Sequence, residues 1–400
     1  MNFKTTLFRV LTLIVMLTAA AQLKAQQQFT IHGTLGKDKQ GIVRLVYVDS
    51  DNKEVRDSAA IKNGVFAMSG TIAEPAHATL TLNPGAAGWS PNDDAEDLFL
   101  DPGKITVTST GGMLNATITG GASQTDFARI MVDFNALGYR GRQIDTLYQK
   151  YSADGNDEGL KSLRSEGQKL KEKRREIETT FIKEHPDSFV AFSLWLRRKD
   201  GPVDVPVVEP GFNAFSEKIR NSISGKRMAK RIAIAKTLEA GNPATDFTLP
   251  DTSGKMVSLS SFRGKNVLLC FWFRNFMPFE TFSFLMTKVN KLSAANNLAI
   301  VSVYYEMENV HHNNPNGSNQ ETNGFDWKTV LKENGMTWTN LIDKNGIVDN
   351  KPASAVAKAY DLSINSLPLW ILIGPDGKIL GQNFNLAADP VADIKKLLTK

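Results

Sequence analysis

Val267-Leu268-Leu269-Cys270-Phe271-Trp272-Phe273, running on into Arg274-Asn275-Phe276-Met277-Pro278-Phe279, decides the fold of this 400-residue chain. The first seven residues carry no charge and are too few for an ordinary buried helix. They suit a strand covered on both faces, as in a parallel sheet. A second run of the same kind, Leu298-Ala299-Ile300-Val301-Ser302-Val303-Tyr304-Tyr305, follows after an intervening helical stretch. Further on, Trp370-Ile371-Leu372-Ile373-Gly374 and Ile379-Leu380-Gly381 flank Pro375-Asp376-Gly377-Lys378, whose Asp-Gly pair marks a hairpin. Residues 241–400 therefore read as an α/β domain with a mixed sheet and a last helix.

Upstream the period changes. From Phe127 the apolar residues Ile130, Met131 and Phe134 fall at helical spacing, and Ser123 with Asp126 resembles a capping box. A narrow stripe, Leu160, Leu163, Leu170, Ile177 and Phe181, continues the helical pattern, breaks at His185-Pro186-Asp187 and resumes at Val190–Leu196. Gly201-Pro202 through Pro210-Gly211 reads as a proline-marked loop, and Phe212 to Leu238 as helix again. Residues 121–240 are thus a helical connector. Residues 26–120 alternate short β-type runs with turn signals, Asn63-Gly64 and Pro102-Gly103 each standing as a hairpin candidate. That pattern predicts an antiparallel all-β domain, sandwich or barrel.

Residues 1–25 have the order of a secretory signal peptide: Lys4 and Arg9, the apolar run Val10–Leu17, then small residues, with cleavage expected after Ala21 or Ala25. The run is far shorter than the ~20 residues a spanning helix needs, so no transmembrane segment is expected after cleavage. The expected location is the periplasm or cell envelope. The formal charge of +5 is spread among interleaved acidic residues, as in Lys169–Glu178, which speaks against a nucleic-acid partner. Cys270 is the only cysteine in the chain, so no internal disulfide is possible.

Several motifs in order resemble the exported thioredoxin-like family that includes TlpA and ResA, within the alkyl hydroperoxide reductase/thiol-specific antioxidant superfamily. They are Gly241-Asn242-Pro243-Ala244-Thr245-Asp246-Phe247, Phe262-Arg263-Gly264-Lys265, Leu268–Trp272, Trp338 before Leu341-Ile342-Asp343, and Leu367-Pro368 ahead of Gly374-Pro375-Asp376-Gly377-Lys378. The resemblance implies a thioredoxin-like fold with Leu367-Pro368 as its cis-proline loop. The β region, with Phe29–Gly33, Asn63-Gly64-Val65-Phe66 and Gly103-Lys104-Ile105, resembles the domain of unknown function that precedes such modules in Bacteroidetes-type envelope proteins.

In that family a Cys-x-x-Cys follows the Phe-Trp strand end after three residues and opens a helix, whose N-terminus lowers the first thiol's pKa. Here both positions are phenylalanine, Phe276 and Phe279, around Met277 and Pro278. The departure extends to Glu280, Phe282 and Phe284. No catalytic residue is assigned, and no cofactor is expected. Cys270 lies within the apolar strand, where a thiol is inert. The resemblance makes Trp272, Phe276, Met277, Pro278, Phe279, Leu367 and Pro368 a degenerate site and a candidate surface for an envelope protein or extended peptide. Phe276 and Phe279 either face outward or pack inward. The alternatives are a thiol-disulfide oxidoreductase or peroxidase by homology, and a purely structural scaffold. No metal site is expected: His32 and His77 sit on strands, and Glu306, Glu308, His311 and His312 read as a polar surface loop. The sequence leaves the oligomeric state open.

Overall fold

The computed structural model describes residues 27–49, 53–83, 85, 93–199, 201–273, 279–306, 326–382, 384 and 390–398. The leader at 1–25, and Glu308, His311 and His312, lie outside them. The chain divides into two compact units. One takes the chain up to Leu196 together with Asn213–Lys226, and the other takes Arg197–Phe212 together with Arg227 onward.

The first unit opens with eight strands: β1 (Gln27–Thr34), β2 (Gly41–Val48), β3 (Glu54–Ile61), β4 (Val65–Ile72), β5 (Ala76–Leu82), β6 (Asp94–Leu100), β7 (Gly103–Thr108) and β8 (Thr117–Thr119). They form two four-stranded sheets, β4-β1-β7-β8 and β3-β2-β5-β6. Alternate residues of both, among them Phe29, Ile31, Val43, Leu45, Leu80 and Ile105, enter one shared core, so the domain is a sandwich. Burying both sheets' apolar faces against each other is what the period-two pattern requires.

Two expected hairpins turn out to be crossings between sheets. At Asn63-Gly64 both residues have positive φ (53° and 75°), and Lys62 and Val65 exchange backbone hydrogen bonds of 2.9 and 3.0 Å. The tight turn therefore forms, but β3 then pairs with β2 and β4 with β1. Pro102-Gly103 likewise carries the chain from β6, paired with β5, to β7. Nor is the domain wholly antiparallel, because β7 lies parallel to β1. The β1–β4 pair has two glycines covered by rings. A side chain at Gly33 would strike the Phe66 ring at 1.9 Å, and one at Gly70 would strike Phe29 at 2.7 Å.

Helices α1 (Ala122–Ala153) and α2 (Asp157–Glu184) follow as an antiparallel hairpin. Arg140 donates to both oxygens of Glu166 at 2.6 and 2.9 Å, and the Arg174 guanidinium lies 3.9 Å over the Phe134 ring. The expected Ser123/Asp126 box does not form. Gly121 is the N-cap and makes no side-chain bond, while the Asp101 carboxylate accepts the Gln124 N–H at 2.9 Å. A carboxylate from the sandwich thus serves the helix start, and Ser123 is buried. Gln124 in turn accepts the Phe99 N–H at 2.7 Å and donates to the Ile118 carbonyl at 3.3 Å.

Helix α3 (Phe189–Arg197) is followed by α4 (Val205–Asn213), which occupies much of the stretch expected to be loop. Pro206 falls in the first turn of α4, where no N–H has an intrahelical acceptor, and Pro210 is tolerated within so short a helix. Then come α5 (Glu217–Arg220) and α6 (Ile223–Thr237).

The second unit holds β9 (Thr248–Pro250), β10 (Met256–Ser258), β11 (Asn266–Trp272), α7 (Phe279–Asn290), α8 (Ser293–Asn296), β12 (Leu298–Glu306), α9 (Trp327–Glu333), β13 (Thr339–Lys344), β14 (Ile347–Val348), β15 (Lys351–Pro352), α10 (Ala355–Ala359), β16 (Leu369–Ile373), β17 (Ile379–Gln382) and α11 (Pro390–Leu398). The main sheet runs β13-β12-β11-β16-β17, with β12 parallel to β11 and to β13, and with β16 antiparallel to β11 and β17. This is a thioredoxin-like α/β domain with a mixed sheet. Along β11, Val267, Leu269 and Phe271 enter the core layer that contains Phe247 and Tyr360. Leu268, Cys270 and Trp272 enter the other, with Phe282, Met286 and Ile394. The Asp-Gly hairpin joins β16 to β17, with Gly377 at φ 82° and its N–H donated to Gly374 at 2.8 Å. No helix among the described residues is long and apolar enough to cross a membrane.

Candidate functional site

The site is built where β11 ends, where α7 begins, and where the chain enters β16. The Leu367–Pro368 bond is cis. It follows a 3₁₀ turn, Ile364–Ser366, whose Ser363 and Ser366 side chains form a capping box. Leu367 is in extended conformation (φ −93°, ψ 144°), Pro368 is partly exposed, and the Leu367 side chain is buried.

Trp272 was expected on the exposed surface and is not there. It is 1% exposed, stacked on Phe282 at 4.7 Å and tilted against Tyr304 at 4.9 Å. The reason is strand parity: its place on β11 points it under α7 with Leu268 and Cys270. Leu367, at 8% exposure, is a packing residue too. Phe276, Met277 and Pro278 lie outside the described residues; Phe279 opens α7, but its side chain is not described. The exposed aromatic that the structure does place on α7 is Phe284, 59% exposed, with the Lys288 ammonium 4.4 Å from its ring centre.

Cys270 is fully buried in the central strand, opposite Ser302 on one side and Trp370 on the other. Burial pushes its thiol well above the ordinary range. Tyr305 and Tyr360 are likewise pushed far up, by burial first, with the charge of Asp343 adding to the effect at Tyr305 and that of Asp246 at Tyr360. The Tyr360 hydroxyl donates to the Thr245 carbonyl at 2.6 Å, and Ser354 donates to the buried Asp343 carboxylate at 2.6 Å. These are groups held in place rather than poised for proton transfer at neutral pH.

Sequence reading did not find Arg231. Its Nε donates to Asp361 at 2.8 Å, Nη1 to the Lys199 carbonyl at 2.9 Å and Nη2 to the Gly201 carbonyl at 2.8 Å. The guanidinium thereby fastens the strap before α4 to the turn that leads into the cis-proline loop. Pro202, Val203, Tyr360, Asp361, Ser366 and Leu369 line a small, partly open pocket of about 30 Å³ there, room for a water-sized occupant and no more. No local signal marked this pair, because its partners are 130 residues apart. Among the described residues, no group of three or more His, Cys, Asp or Glu is placed to hold a metal ion.

Residues 240–382 match the model of the AhpC/TSA family, and residues 29–127 match a domain of unknown function, DUF4369. No curated protein matches the chain. Among solved structures, the thioredoxin domain of a Bacteroides vulgatus thiol-disulfide oxidoreductase is 23% identical over 40% of this chain and 99% of its own, with a TM-score of 0.31. A thiol-disulfide oxidoreductase from Bacteroides fragilis is 26% identical over 39% and 99%, with a TM-score of 0.30. A Chlorobium tepidum protein described as a thiol:disulfide interchange protein DsbE is 24% identical over 40% and 99%, with a TM-score of 0.30. The chain thus joins a region that matches DUF4369 to a thioredoxin-like domain that matches the AhpC/TSA family model.

Proposed function

We propose that this is an exported envelope protein whose thioredoxin-like domain has given up dithiol chemistry and serves to hold an extended segment of another protein beside the cis-proline loop. One observation carries the reading: the chain's single thiol, Cys270, is fully buried in the central strand, while the helix start that would need cysteines has Phe276 and Phe279. Thiol-disulfide exchange needs an accessible thiolate and, to release the product, a resolving thiol. A recognition role is supported by the cis Leu367–Pro368 bond, the extended backbone of Leu367, the partly exposed Pro368 and the exposed Phe284 on α7. Exposed aromatic and apolar side chains of this kind suit protein contact. The leader pattern supports export.

The family likeness favours the competing reading, a thiol-disulfide enzyme. Insulin-reduction and thiol-peroxidase assays on the full chain separate the two. Background activity, unchanged in Cys270→Ser, is expected; turnover that disappears in Cys270→Ser would make Cys270 a nucleophile and the enzyme reading correct. Phe276→Cys with Phe279→Cys is expected to create an internal disulfide detectable by mass.

A further inference from the structure

We draw no further inference here: the strongest candidate, the outward face of α1 on which Val132 and Tyr139 stand exposed two turns apart, carries nothing, because nothing in the structure shows what covers it.

Discussion

Replacing Arg231 by alanine removes three hydrogen bonds at once: to Asp361 at 2.8 Å, to the Lys199 carbonyl at 2.9 Å and to the Gly201 carbonyl at 2.8 Å. The two charged side chains are 18% and 19% exposed, so the pair is mostly out of water and the strap carbonyls lose their donor. Hydrogen bonds to charged groups contribute about 1.5–3 kcal/mol each, and breaking a buried pair by removing one partner costs about 3–5 kcal/mol. Water reaching the vacated site returns part of this, which leaves an expected loss of about 3 kcal/mol. For a unit of this size that corresponds to a melting-point drop of roughly 6–12 °C. Urea denaturation followed by tryptophan fluorescence measures it, and limited trypsin digestion should show earlier cleavage at Arg197, Arg198 and Lys199. Asp361→Ala should lose a comparable amount, and the double variant little more, since both remove one network. A loss below about 0.5 kcal/mol in Arg231→Ala, or full additivity with Asp361→Ala, would refute the reasoning.

Cys270 should react with iodoacetamide only as fast as the domain opens, so labelling will follow denaturant and will be near zero in the native chain. Because its folded pKa is raised, the group stabilises the fold below the ordinary thiol pKa of about 8.5 and loses that contribution as pH climbs through the folded value. Unfolding midpoints should therefore fall above about pH 8.5 in the natural chain and less so in Cys270→Ala. Gln124→Leu strands the Phe99 N–H and the Ile118 carbonyl in the sandwich. It should cost about 2 kcal/mol, read by circular dichroism, whereas a loss near zero would mean that water reaches those groups.

The two apolar runs at Val267–Phe273 and Leu298–Tyr305 were legible as central strands because burial on both faces leaves no other composition. The Asp376-Gly377 hairpin was legible because a two-residue turn of that kind is a local property. Asn63-Gly64 shows the limit of the same logic. The turn chemistry was right, yet which strands pair beyond it is decided by the packing of two sheets, which no tetrapeptide records. Trp272 was misplaced through weighing the family surface above parity: an unbroken apolar strand already implies that both of its faces are covered. The cap on α1 and the Arg231 clip had no local trace, since Asp101 and Asp361 reach their partners only through the tertiary fold.

The α1–α2 hairpin has a mechanical consequence. With 32 residues α1 spans about 48 Å, and its buried residues are confined to Ser123, Gln124, Ile130, Phe134 and Ile144. On α2 only Leu163 and Phe181 are buried. Within the hairpin the Arg140–Glu166 pair ties the two rods side by side. At its base α1 meets the sandwich through Gln124 and through Phe127, whose ring lies 5.4 Å from that of Phe99 and 5.7 Å from that of His77. A tilt of about 10° at that end carries the turn at Asp154–Asn156 through roughly 8 Å. Reach at the tip is therefore set by helix length and by how firmly the Gln124 and Phe127 contacts hold the base, not by the size of the sandwich that bears it.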